Sequence, residues 1–555
     1  GEGGLFGGGL QDRYSPNLLN ERENFFHKPL VNLNHFYDVN DQVRLSSILY
    51  WSGGSGGGTG TYGSVSRKPA VEGNNWWASS PWQWDWDAEI AQNSSNIDSA
   101  YSTSENRSTG ILRNSINRQD TYGLISKLNF DLNESIKLQA GVDWRTAGIE
   151  HAREVRDLLG GDYYVDFADD NAPDGKVVRL GDKIAYSNIT TVDWLGFFGQ
   201  GTYSSGALSA YGMFGWSQIA YTYQDSFTVA KAVIDHGDAI TATQLKGGVM
   251  YDLNDNISLF ANYGLVEKPP IMDNVIYFDG TVASNPENEK FSSLEGGVNY
   301  SSGAMAVKAN YYLTKWMDRN LTKSVTTGQG SSGDTDVIFL TGVDQDHSGL
   351  EVEASMQVID MLRLDAAFGM GNWQFVGDAS GEYQEAEFDS LGNQTGQTST
   401  TYSYALEGLY VGDMPQTGLS FGATLTPLQG LSIQALLNYY DKNYSDWSPS
   451  AREYSGDDSD ADRAQVYMAP SYSKLNLHVN YDLPIDIAGT KISAFLHVFN
   501  ALDAVYVQDA VDNSQYNGYY IEDDNDNVLN SHSASTAEVF LGTPRYFNAG
   551  LTVRF

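Results

Sequence analysis

The 555-residue sequence contains no cysteine. The fold therefore has neither a disulfide framework nor a thiolate metal site. Long apolar runs are missing too: none approaches the roughly 18 residues a transmembrane helix needs. Basic residues are scarce, 33 Lys and Arg against 70 Asp and Glu, for a net charge of −37. Such a balance argues against nucleic acid as a partner, because phosphates demand Lys and Arg. It fits a solvated surface, a cation-rich exterior or a salty habitat. The opening "GEGGLFGGGL" lacks a basic region followed by an apolar core. It reads as a mature or truncated end rather than a signal peptide.

Aromatic residues and glycine are plentiful. Tyr (35), Phe (23) and Trp (12) make 13% of the chain, beside 57 Gly and 14 Pro. This combination favours strands joined by tight turns. The last stretch, "GTPRYFNAGLTVRF", puts Phe547, Ala549, Leu551, Val553 and Phe555 on one face and Tyr546, Asn548, Gly550, Thr552 and Arg554 on the other. Period-two alternation of this kind marks a strand with one apolar and one polar face.

The pattern recurs in pairs with short turns between them. Turns fall at Asn40-Asp41, Asn133-Glu134-Ser135, Ser204-Ser205-Gly206, Asn254-Asp255-Asn256, Ser301-Ser302-Gly303, Asp360, Leu428-Gln429-Gly430 and Pro484 to Gly489. Eight hairpins and the final strand predict seventeen strands. At the opposite ends the connections are long and polar, near 53–121, 147–191, 374–414, 446–470 and 508–543. Short turns on one side and long loops on the other are the asymmetry of an all-β transmembrane antiparallel barrel. Residues 27–555 are read as part of that barrel and 1–26 as an outer loop or partial strand. Tyr50, Trp51, Trp144, Trp194, Trp316, Trp373, Tyr439 and Tyr440 sit near strand ends, where interfacial girdles are expected. Single-chain barrels use an even strand count, and parity makes the strand around Leu33 even-numbered. A barrel of about 22 strands, of which seventeen are present here, satisfies both conditions, although parity alone admits 20 or 24 as well.

Several segments in order resemble the barrel of TonB-dependent outer-membrane transporters of the Bacteroidetes-like type. They are "HKPLVNLNHFYDVNDQVRLSSILYWSGGSGGGTG", "ILRNSINRQDTYGLISKLNF", "NYGLVEKPPIMDNVIYFDGTVASNPENEKFSSLEGGVNY", "HSGLEVEASM", "FLHVFNALDAVYV" and the final strand. The resemblance implies a bacterial cell outer membrane location with long loops outside, among lipid and lipopolysaccharide. It also implies a plug domain and a TonB-contacting segment, both absent from this sequence. They are expected on a longer precursor, or on another chain of a split protein. A surface lipoprotein is a further candidate partner. The terminal Phe555 is implied as an assembly signal.

The sharpest local feature is "NNWWASSPWQWDWDAE". Trp76, Trp77, Trp82, Trp84 and Trp86, with Asp85 and Asp87, suit stacking on sugar rings or gripping a peptide. The competing reading is a loop that folds on itself and buries the rings. Three acidic runs offer oxygen ligands for calcium: Asp169, Asp170 and Asp174; Asp457, Asp458 and Asp460; Asp523, Asp524 and Asp526. None has the EF-hand spacing, and a solvated acidic turn is the alternative. "GSGGGTG" (54–60) lacks the Lys-Ser/Thr ending of a phosphate loop and reads as a loop packed on the lumen or plug. Arg44, Lys127, Lys137, Lys246, Lys308 and Arg363 are expected on the lumen wall, mostly as charges paired with Asp and Glu. No spacing assembles a nucleophile, base and orienting group, so an enzyme is not expected. The resemblance implies TonB-driven import of a scarce or bulky ligand: siderophore, peptide or oligosaccharide. A passive porin-like channel and a surface scaffold barrel holding a partner on its outer loops are the alternatives.

Overall fold

A computed structural model describes residues 21–554 apart from 68–83, 229–232, 277–281, 284–285, 328–333, 389–393, 455–460, 488, 515–520, 523–527 and 530–531. Its wall follows one path of antiparallel neighbours. The strands are β1 (Leu30–Asn40), β2 (Val43–Gly63), β3 (Gly110–Asp131), β4 (Ile136–Asp157), β5 (Lys183–Ser205), β6 (Leu208–Asp225) and β7 (Ile240–Asn254). They continue as β8 (Ile257–Lys268), β9 (Glu289–Ser301), β10 (Met305–Thr327), β11 (Asp334–Ile359) and β12 (Leu362–Phe375). The last five are β13 (Pro415–Leu428), β14 (Leu431–Tyr444), β15 (Tyr472–Ile487), β16 (Thr490–Phe499) and β17 (Tyr546–Arg554). Among the described residues this gives seventeen wall strands, as the alternation predicts.

Local chemistry makes the turns. The side-chain oxygens of Asn40, Asn133 and Asn254 each accept from the backbone N–H groups two and three residues on, at 2.9–3.1 Å. This short side chain replaces a backbone acceptor and closes the reversal. Gly430 adopts φ +84°, which costs a glycine little.

Register then fixes the two faces. One row across neighbouring strands runs Arg44, Asn129, Gln139, Gln200, Met213, Lys246, Gly264, Ser293 and Thr314. The next row, one residue along, runs Leu45, Leu128, Ala140, Gly199, Phe214, Leu245 and Leu265. A period of two keeps these sets on opposite sides. Leu245, Phe214, Phe547 and Leu551 are exposed on the apolar side. The polar side is concave, since cavities open onto it.

Buried apolar clusters lie at the rim of the long connections. The largest joins Leu340, Phe375, Tyr404, Leu406, Leu409, Tyr444 and Trp447. A second joins Ile111, Val155, Leu158, Val178 and Ile184, and a third joins Ile219, Tyr221, Tyr223, Val275 and Ile276. A wall one residue thick buries little, so these rim clusters hold the long connections together. Each fully buried side chain of this size contributes about 1.5–3 kcal/mol.

The structure departs from the sequence reading in several places, among them the connection 147–191, which narrows to 158–182 because β4 runs on to Asp157 and β5 begins at Lys183. The segment 54–60 is strand, not loop, because β2 continues to Gly63. It is paired on both sides, with Asn24–His27 and with β3. A Cβ at Gly57 would meet the Ser115 carbonyl oxygen at 2.2 Å, so the glycine run permits this close three-strand approach. Correspondingly, the first long connection shrinks from 53–121 to 64–109, and the strand Asn24–His27 straddles the expected boundary at residue 26. Connection 374–414 holds its own hairpin, Ala379–Phe388 with Gln394–Tyr404. Finally, the strand-end aromatics divide by parity. Trp51, Trp144 and Tyr439 share the apolar face, whereas Tyr50, Trp194, Trp373 and Tyr440 share the polar one.

Candidate functional site

The tryptophan-rich segment is partly described; Trp76, Trp77 and Trp82 lie outside the described residues. Trp84 is half-buried, with the Arg67 guanidinium 5.2 Å from its ring centre and the Trp86 ring 6.1 Å away. Its Nε1 donates to Glu21 Oε1 at 3.3 Å. Asp85 caps the helix α1 (Trp86–Asn93), its Oδ1 accepting from the Ala88 N–H at 3.2 Å. Asp87 is exposed in the first turn.

Two residues that the sequence reading missed anchor this helix. Glu89 and Asn93 are fully buried. Glu89 Oε2 accepts from the Ser66 N–H at 2.7 Å, and Asn93 donates to the Gly110 and Leu158 carbonyls while accepting from the Thr109 N–H. The available signal was two polar residues four apart on one face of a short helix. This anchoring fixes Trp84 and Asp85 as supports and leaves Trp86 and Asp87 as the described side chains with surface to offer.

Of the acidic runs, Asp457, Asp458, Asp460, Asp523, Asp524 and Asp526 lie outside the described residues, as does Phe555. Asp169 commits both oxygens to protein partners: Oδ1 accepts from Asn171, and Oδ2 pairs with Lys176 Nζ at 2.9 Å. Burial opposes its charge, but Lys176 and Asn171 outweigh that and hold its pKa below the usual value. Asp170 donates its backbone N–H to the Phe227 carbonyl, and Asp174 accepts from the Tyr101 hydroxyl through its own carbonyl. Among the described residues no three His, Asp or Glu side chains gather as a metal would require.

Charged clasps lock the rim. Arg452 is fully buried; its Nη2 lies 3.1 Å from Asp512 Oδ2, and its Nη1 donates to the carbonyls of Asp462 and Ala464. His532 sits between two carboxylates, Nδ1 at 2.7 Å from Asp512 and Nε2 at 2.7 Å from Asp462. Burial disfavours its charge, yet those two bonds prevail and raise its pKa. Asp378 receives Arg463 in two bonds of 2.6 and 2.7 Å, together with the Tyr454 hydroxyl and the Leu406 and Glu407 N–H groups. Its pKa is pulled down to about 2: burial opposes this, and the Arg463 bonds lead the groups that overcome it.

The concave polar face carries fixed charge in pairs. Arg44 bonds Asp131 at 3.0 Å and Arg363 bonds Asp365 at 3.0 Å. Register places Lys127, Lys137, Lys246 and Lys308 on the same face. A cavity of about 340 Å³ is lined by Arg363, Gln434 and Asn480, and another of about 380 Å³ by Lys308, Glu351, Glu353 and Asn438. Two features here escaped the sequence reading. Lys474 lies among Tyr440, Tyr472 and Tyr506, 4.9–5.8 Å from their ring centres. His478 and His497 face each other directly across β15 and β16.

An antiparallel wall with an apolar outer face, a polar inner face, short turns at one rim and a packed crown at the other is the architecture of an outer-membrane β-barrel. The family model described as "TonB dependent receptor-like, beta-barrel" matches residues 13–501, and the chain belongs to that family, whose members are outer-membrane proteins. The unliganded ferric citrate transporter FecA is similar at a TM-score of 0.57 and 12% identity, over 96% of this chain and 62% of that one. The copper transporter OprC gives 0.57 and 13%, over 95% and 65%. The ferric yersiniabactin uptake receptor FyuA from Yersinia pestis gives 0.54 and 12%, over 96% and 61%. The chain thus spans less than two thirds of these structures, and at such identities the likeness is one of fold. No curated protein matches it.

Proposed function

We propose that the whole protein is a TonB-dependent importer in the outer membrane of a Gram-negative bacterium, with the long connections outside the cell. The carrying observation is the family match over residues 13–501 on a wall whose inner face is polar from strand to strand. A continuous polar lining suits a hydrated path, and a crown braced by buried clasps suits selective capture above it. The family match supports a scarce or bulky solute such as a siderophore, peptide or oligosaccharide as the ligand class. The similar structures include a ferric citrate transporter and a ferric yersiniabactin uptake receptor, which makes an iron chelate the first class to test. Trp86 and Asp87 are the described crown residues to contact it, and the inner charges guide its passage. Calcium in the acidic loops and a surface lipoprotein lid are further proposals for the crown. No chemical step is assigned to the chain, in keeping with a family of receptors.

The test is uptake by cells expressing the full-length gene, with and without functional TonB. Ferric chelates, short peptides and oligosaccharides are supplied together, and their depletion from the medium is followed by mass spectrometry. Depletion of one class that stops without TonB is expected. Equal depletion of small solutes in both backgrounds would instead make the protein a passive channel.

A further inference from the structure

We propose that His478 and His497 form a copper(II) site on the inner wall, a role that stands apart from the import reading and does not rest on it. The two residues are register partners on adjacent antiparallel strands, so their side chains leave the sheet side by side on the polar face. Their Nδ1 atoms are 3.0 Å apart, and the rings meet nearly edge to face at 62°. At this distance one ring donates its Nδ1 proton to the other. A neutral imidazole carries one N–H, so moving that proton to Nε2 of the same ring frees both Nδ1 lone pairs without net proton loss.

The spacing selects the metal. Metal–imidazole bonds run about 2.0–2.1 Å. Two such bonds to nitrogens 3.0 Å apart subtend roughly 91–97° at the metal. That is the angle between neighbouring ligands in a tetragonal complex, the geometry of Cu²⁺ or Ni²⁺, whereas tetrahedral zinc wants the nitrogens farther apart. Affinity for nitrogen ligands peaks at Cu²⁺ among the divalent first-row ions.

The surroundings hold the rings and supply oxygen. Phe495 stacks on His497 at 4.9 Å and Phe499 meets His478 edge to face at 5.5 Å, which restricts both imidazoles. Gln434 is the register neighbour of His478, and Asn548 that of His497. One polar row across four strands therefore reads Gln, His, His, Asn, and the amides and water complete the coordination. Both rings are half-buried, open enough for an ion to arrive from the lumen.

The probe is copper sulfate alone, added to the purified full-length protein in detergent. One tightly held equivalent is expected, with a tetragonal electron paramagnetic resonance signal split by two imidazole nitrogens. His478→Asn and His497→Asn should each weaken Cu²⁺ binding at least tenfold and abolish the two-nitrogen pattern. Heat-modifiable gel migration should show both variants still folded. Undiminished copper binding in folded variants would overturn the proposal. So would a wild-type signal from fewer than two imidazoles, a measurement that needs no variant. Zinc binding as tight as copper would overturn the assignment of the metal.

Discussion

At the scale of single residues, the clasps at the rim make the clearest commitments. Asp378 has a pKa lowered from 3.8 to about 2, so its folded form binds a proton less readily than its unfolded form. Its contribution is present above 3.8 and is lost as pH falls through about 2. Asp378→Asn should remove on the order of 1 kcal/mol after solvent screening, because Arg463 is partly exposed. Proteolysis at neutral pH should then cut connection 445–471 faster than in the wild type. His532 has the opposite sign. Its pKa is raised by Asp462 and Asp512 against burial and the nearby Arg452, so it holds its proton more tightly when folded. The stabilisation is complete below the unfolded value of about 6.5 and fades as pH rises through the higher folded value. The protection factors of segment 500–545, which divide out the base-catalysed rise of intrinsic exchange, should therefore fall as pH rises above about 6.5, and His532→Gln should abolish that fall. A flat wild-type profile would refute the protonated clasp.

At the scale of elements, the wall strands are governed by face. Leu245 on β7 is exposed on the apolar side, and Lys246 beside it points to the lumen. Leu245→Arg should cost about 2–4 kcal/mol at the middle of a bilayer. Lys246→Ala should stay within about 0.5 kcal/mol, both read from urea midpoints in lipid vesicles. Gly57→Val should cost about 1–3 kcal/mol, since the new Cβ has the Ser115 carbonyl 2.2 Å away and backbone cannot yield cheaply. The same strands show what could be read in advance. Turns at Asn40, Asn133 and Asn254 were legible because their chemistry lies within three residues. Face assignment was legible because it needs parity alone. The glycine run 54–60 was not, since glycine carries no strand propensity and pairing on both sides decides its state. Sites were harder still. His478 meets His497 through register, and Arg452 meets Asp512 and His532 across 60 and 80 residues of chain.

At the scale of the whole molecule, the two edges of the sheet set the strongest constraint. Among the described residues β1 pairs on one side with β2, and β17 on one side with β16. Hydrocarbon offers no partner for a free strand edge, so each must be covered in the membrane. The edges cannot cover each other in the usual way. β1 runs towards the short turn at 41–42, and β17 runs away from the long connection 500–545, so both descend to the same rim. Pairing them would create a parallel contact in an otherwise antiparallel wall, whereas an odd number of intervening strands restores alternation throughout. These 555 residues contain no cysteine of their own, so the pair introduced into them is the pair to follow. Cysteines replacing Ser47 and Ser126, whose Oγ atoms lie 2.8 Å apart across β2 and β3, should crosslink readily in the full-length protein. Cysteines at Asn34 and Asn548 should not. A crosslink between Asn34 and Asn548 positions would mean that β1 and β17 seal the wall directly, and the expected barrel of about 22 strands would have to be given up.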